Sequence, residues 1–170
     1  MQSDASEPSD KVDDAIALGN AARDRNPPDL ESAEKAYQLA WKLNPRDPRP
    51  YVGLGNVYMD QGKYAEAARA YKNAVKLTMP KVGMMTRGAG FAIAEVSKLS
   101  NTRRRSNAEW LAYLGTAYLG EQKPREAEEE LNYAIILDSK RAEWHALLGY
   151  CLFLQQRYTV ASNVYAQAVE

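Results

Sequence analysis

Apolar and small residues recur along this chain at fixed intervals. Leu-Gly pairs in register with one another stand at Leu18-Gly19, Leu54-Gly55, Leu114-Gly115 and Leu148-Gly149. Each pair is followed by an Ala, an aromatic residue or Leu four positions later, and a second Ala three after that. These second patterns are Ala33/Tyr37/Ala40, Ala67/Tyr71/Ala74, Ala127/Leu131/Ala134 and Ala161/Tyr165/Ala168. In the second copy Tyr51, Leu54, Gly55 and Tyr58 fall at i, i+3, i+4 and i+7, along one stripe of a helix. Asp60-Gln61-Gly62-Lys63 reads as a turn, and Ala67, Ala70, Tyr71 and Ala74 make the same stripe on a second helix. The pattern predicts four helix–turn–helix copies, with Gly55 facing Ala67 at the closest approach and Tyr58 and Tyr71 filling the flanks.

The ends of the helices are signalled as well. Pro45 and Pro80 follow second helices, and Asp47-Pro48 offers an N-cap and an N1 proline to the next first helix. Ser106-Asn107-Ala108-Glu109 has the form of a capping box opening the third copy. The second patterns are spaced by 34, 60 and 34 residues. A period in this range means stacked supersecondary units, each packing only on its neighbours.

The pattern resembles the tetratricopeptide repeat family, whose signature is W-x2-L-G-x2-Y…A-x3-F…P. The resemblance covers about 11–81 and 108–170. It departs from the family in three places. Two extra residues lie around Asn26-Pro27-Pro28-Asp29, Trp110 and Trp144 stand one position early, and Ser139 replaces a closing Pro. What it implies is an all-α, right-handed α-solenoid. The expected layout is a disordered tail at 1–10, repeats at 11–45, 46–81, 108–141 and 142–170, and an insertion at 82–107. No capping helix follows the fourth repeat.

The resemblance also implies that the first helix of each repeat lines a concave groove for a peptide or helix. Counting from each Leu-Gly places Asn20, Arg23, Arg49, Asn56, Met59, Tyr113, Thr116, Tyr150 and Phe153 there. The N-terminal half of this set is polar and the C-terminal half apolar. Asn20 and Asn56 share the slot directly after Leu-Gly, where family members often use an Asn to bind a peptide backbone; an exposed Asn with no partner is the plain alternative. The carboxylate clamp of the chaperone-binding members is not matched, because its positions hold Val52, Glu109 and Tyr113. An amphipathic helix, or an extended segment with an apolar anchor, fits better.

The insertion has Met85, Ala89, Ala92, Val96 and Leu99 at helical spacing, which predicts an extra helix over about 84–99 and then a basic loop carrying Arg103-Arg104-Arg105. A solvated loop, a partner-binding element and a nucleic-acid contact are the readings open to it. Against the last, aromatic interleaving and a wider basic patch are missing.

Charge and chemistry narrow the function further. Lys plus Arg and Asp plus Glu both number 22, so no global field draws nucleic acid or an anionic membrane. No apolar run is long enough to span a bilayer. His145 and Cys151 are the sole His and Cys, too few for a nitrogen–sulfur zinc site, and each reads as a packed residue. Gly88-Ala89-Gly90 lacks the Gly-Lys-Ser/Thr of a phosphate loop. Glu126, Glu128, Glu129 and Glu130 suit a helix start and its exposed face. The expectation is a non-enzymatic adaptor with no cofactor or metal, whose partner is a protein or peptide.

Two rival readings are a self-assembling module, pairing through Val160, Val164 and Val169 of the uncapped last helix, and a subunit or chaperone of a bacterial secretion or pilus apparatus. The polar start, Met1 to Asp10, resembles the spacer after a cleaved signal, so cytoplasm and bacterial envelope both stay open.

Overall fold

The computed structural model describes residues 8–79 and 99–168. These residues form eight α-helices and no strand: α1 (Pro8–Arg23), α2 (Leu30–Leu43), α3 (Arg49–Asp60), α4 (Tyr64–Thr78), α5 (Asn101–Gly120), α6 (Pro124–Leu137), α7 (Ala142–Leu154) and α8 (Tyr158–Gln167). The chain divides into two compact units, Met1–Leu77 and Thr78–Glu170. Each unit is a stack of helix pairs in which an A helix (α1, α3, α5, α7) turns back onto a B helix (α2, α4, α6, α8).

In unit 1 the packing turns on Tyr37. Its ring is buried between two glycines, Gly19 on α1 and Gly53 on α3, and a Cβ at either would come within 3.0 Å of ring carbons. Tyr71 sits on Gly55 in the same way. At Gly55 the atoms nearest to a Cβ are Tyr71 ring carbons, and Ala67, one turn earlier on the same helix as Tyr71, is fully buried. An aromatic ring is flat and wide, so it fills a helix crossing only where the facing position has no side chain. Ala22, Ala33, Leu54, Val57 and Ala70 complete this core around Tyr37.

Leu54, Leu114 and Leu148 are all 8% exposed or less, but Leu18 is 64% exposed. Leu54 packs on residues of the preceding pair, and no described helix precedes α1. Two ion pairs tie α1 to α3. Arg23 Nε meets Asp60 Oδ2 at 2.8 Å, and Arg49 meets Asp13 Oδ1 at 2.8 Å. Arg49 is also held by Asp47, whose carboxylate accepts from the Arg49 backbone N–H at 2.9 Å. The helix itself begins at Arg49, with Pro48 as its cap residue.

Unit 2 repeats the plan with other residues. Leu131 stands where Tyr37 does and packs on Gly115, while Tyr165 lies on Gly149. Successive repeats are joined by the same polar lock in both units. Glu34 on α2 accepts from Tyr58 Oη and from Gln61 at the end of α3. Glu128 on α6 accepts from Gln155 at 2.7 Å and twice from Arg157 at 2.8 Å. Glu128 is therefore a joint between repeats and not part of a merely solvated acidic face.

Three expectations about boundaries need correction. Helix α1 starts at Pro8, inside the stretch read as a tail; proline suits the first turn, where its missing N–H has no partner to lose. Helix α5 starts at Asn101, capped by Ser100 rather than by a box at Ser106. No Gly or Pro interrupts 101–107, so the helix runs back to the earlier capping serine. Arg103-Arg104-Arg105 thus lies on a helix, not on a loop, and Asn107 is fully buried. The expected helix over 84–99 lies outside the described residues, apart from Leu99.

Candidate functional site

All nine residues assigned to the groove lie on A helices: Asn20 and Arg23 on α1, Arg49, Asn56 and Met59 on α3, Tyr113 and Thr116 on α5, Tyr150 and Phe153 on α7. The two units use these positions differently.

In unit 1 the polar ones face inward to partners of their own chain. Tyr37 Oη donates to Asn20 Oδ1 at 2.6 Å, and Tyr71 Oη donates to Asn56 Oδ1 at 2.7 Å. Each asparagine carbonyl thus closes the hydroxyl of the buried ring beneath it, and what the side chain offers a partner is its pair of N–H donors. Arg23 and Arg49 are the two ends of the α1–α3 tie. Burial works against the Arg23 charge, but the hydrogen bond and field of Asp60 outweigh it and its pKa rises. Hydrogen bonds from Arg49 to Asp47, and then to Asp13, hold its pKa well above the usual value. Met59 is half-buried.

In unit 2 the same face is aromatic. Tyr113, Tyr150 and Phe153 are 42%, 46% and 51% exposed. Phe153 meets Tyr158, at the start of α8, edge to face with centroids 5.5 Å apart. Tyr150 lies one turn earlier on the same stripe. Thr116 stands in the slot of Asn20 and Asn56, but its hydroxyl donates to Ala112 O of its own helix at 2.9 Å. Tyr158 was not anticipated as part of this face. Its signal was the aromatic at the first position after the α7–α8 turn.

Neither unusual titratable residue is poised for chemistry. Burial pushes the Cys151 thiol up to about 12, so it stays protonated and unreactive. His145 is half-buried rather than a core residue, with Nε2 3.3 Å from Ser139 O. Trp144 is buried and Arg141 lies over its ring at 5.6 Å. Among the described residues no cluster of His, Cys, Asp or Glu could hold a metal ion, and no helix is long and apolar enough to cross a membrane.

The fold and the repeat pattern agree with known proteins. Tetratricopeptide repeat models match residues 48–79 and 113–170. Among solved structures, YrrB, described as a TPR protein with an unusual peptide-binding site, superposes with a TM-score of 0.67 at 20% identity, over 96% of this chain and 74% of that one. The N-terminal domain of stress-induced protein-1 from C. elegans gives 0.63 at 20% identity, over 89% and 99%. A mutant O-GlcNAc transferase from Thermobaculum terrenum gives 0.62 at 15% identity, over 87% of this chain but only 23% of the enzyme. No curated protein matches by sequence. The chain is a tetratricopeptide repeat protein, an all-α member of a class whose stacked helix pairs serve as protein-interaction scaffolds.

Proposed function

We propose that the chain is a non-enzymatic adaptor that holds a segment of a partner protein on the A-helix face of unit 2. Tyr150 and Phe153 receive the apolar anchor of that segment. The observation that carries this reading is the run of half-exposed aromatics at Tyr150, Phe153 and Tyr158 on a rigid helix pair. A single exposed apolar residue is ordinary, but adjacent aromatics held by packing have the composition of binding hot spots. The family supports the reading, and so does the peptide-binding site named for YrrB. The occupant that fits is an amphipathic helix or an extended segment with an aromatic or aliphatic anchor. On unit 1, the N–H donors of Asn20 and Asn56 suit backbone carbonyls.

The test is calorimetric titration of a partner isolated with the full chain. Tyr150→Ala and Phe153→Ala should each weaken binding by about 2 kcal/mol while melting temperature and helicity hold. Parent-like affinity in both variants would remove this face from the function.

A second reading makes the partner another copy of the chain. Helix α8 buries Ala161 but leaves Tyr158 57% and Val160 44% exposed. Light scattering at tens of micromolar decides it. A dimer that Val160→Glu disperses supports self-assembly, and a monomer rejects it.

A further inference from the structure

Unit 1 has an opening lined by none of the nine residues assigned to the groove. A cavity of about 330 Å³ lies between B helices α2 and α4, floored by α3. Its aromatic wall is Trp41 and Tyr51, which meet edge to face with centroids 6.4 Å apart, the indole N–H donating to Tyr51 Oη at 2.7 Å. Trp41 is 38% exposed. Leu54 and Ala70 line the cavity below, and Lys42 and Arg69 stand on its opposite walls.

The cleft is not a necessary product of stacking two repeats. At the equivalent positions of unit 2, Trp41, Tyr51 and Tyr58 become Ile135, His145 and Leu152. There His145 is half-buried, and Leu148 and Leu152 are 7% exposed or less. The charges differ in the same way: Lys42 and Arg69 correspond to Ile136 and Asn163. At these positions unit 1 combines an apolar recess with a Lys on one lining helix and an Arg on the other. The one lining carboxylate, Glu66, sits 3.7 Å from Arg69 on the same helix.

We propose that this cleft docks an extended peptide that inserts one aromatic or branched aliphatic side chain and carries carboxylates beside it. The volume is at the lower end of ligand sites, roughly 300–1,000 Å³, enough for one large side chain with its flanking backbone. The charge asymmetry selects the neighbours: with a Lys on one wall and an Arg on the other, an acidic residue on either side of the anchor finds a cation, and a basic one is repelled. The cleft is separate from the aromatic face of unit 2, so the two surfaces can be tested independently.

The probe is a capped heptapeptide with a central Asp-Phe-Asp, titrated into the isotope-labelled full chain while the indole N–H resonance of Trp41 is followed. Trp41→Phe identifies that signal among the three tryptophans. A saturable shift is expected, with matched Lys-Phe-Lys and Asp-Ala-Asp peptides binding at least about tenfold more weakly. Arg69→Glu should weaken the Asp-Phe-Asp peptide by about tenfold or more, and Tyr150→Ala should leave it unchanged. Arg69 is largely exposed, so its substitution does not threaten the fold. Absence of a shift at millimolar peptide overturns the proposal, as does equal binding of the Lys-Phe-Lys peptide. Loss of binding in Tyr150→Ala but not in Arg69→Glu places the peptide on unit 2 and overturns it too. A change of oligomeric state in Arg69→Glu makes the occupant a second copy, which also rejects a peptide ligand.

Discussion

Unit 1 and unit 2 carry the same helix–turn–helix plan but treat the residue after Leu-Gly in opposite ways. In unit 1 that residue is Asn20 or Asn56, and a tyrosine hydroxyl from the B helix reaches it. In unit 2 it is Thr116, bonded to its own helix, or Tyr150, which is 46% exposed. The difference follows from the B-helix partner. A buried Tyr carries a hydroxyl that must be satisfied, so it recruits the A-helix face into the core. Leu131 carries none, and Tyr165 is 37% exposed rather than buried, so neither draws the residue after Leu-Gly into the core. The arginines behave alike: Arg23 and Arg49 tie α1 to α3 in unit 1, while their equivalents in unit 2 are Leu119 and Glu143. Unit 1 thus uses its A face for internal cohesion, and unit 2 leaves aromatics on it.

The largest expected effect tests the ring itself. Tyr37→Ala removes a side chain buried between Gly19 and Gly53 and should cost about 3–5 kcal/mol. Tyr165→Ala, in the same repeat position but 37% exposed, should cost less than half as much. Urea unfolding of both variants decides it, and equal losses would mean that the two units are built alike.

Next in size is the hydroxyl–amide pair. Asn56→Ala removes the amide that accepts from the Tyr71 hydroxyl at 2.7 Å and should lower stability by about 1–2 kcal/mol, whereas Thr116→Ala should change it by under about 0.5 kcal/mol. Tyr71→Phe combined with Asn56→Ala should cost less than the sum of the two single changes, because both remove the same bond. A double-mutant cycle with no coupling would show that the asparagine is free for other work.

The turns differ by a smaller amount. Unit 1 places Gly62 at φ 70, whereas unit 2 places Gln122 and Gln156 at φ 59 and 62. A left-handed conformation is strained for any residue with a Cβ. Gln122→Gly and Gln156→Gly should each raise stability by up to about 1 kcal/mol, and Gly62→Ala should lower it by about the same. Chemical denaturation of the three single variants reads the sign directly.

The smallest effect is in acid. Burial pushes the Asp47 carboxyl up, but the Arg49 guanidinium and backbone N–H outweigh burial and bring its pKa below the usual value. A carboxylate depressed in the fold stabilises above its unfolded pKa of ~3.9, and that stabilisation is lost as pH falls through the folded value. Amide exchange at the start of α3 should therefore quicken below pH about 4, and Asp47→Asn should remove the change. At the start of α7, Arg141 receives no side-chain cap bond, so no matching acid step is expected there.

The sequence alone determined the helix pairs, their period, the family and the glycines of the Leu-Gly pairs as points of close approach. Those are properties of a single helix face, and face periodicity is local. It also distributed the nine groove residues over the A helices, and it anticipated the contrast between a polar and an apolar half. Only the tertiary structure decided what each of those residues meets. The Tyr71 ring lies on Gly55, Gly53 shares Tyr37 with Gly19, Asn20 and Asn56 accept from tyrosines, and Arg49 reaches Asp13. Such pairings depend on the axial offset between helices and on how far a long side chain reaches across it, and no rule of spacing within one helix contains either quantity. The same holds for α5, which starts at Asn101 behind Ser100, although only Ser106 has the Glu three residues on that completes a capping box.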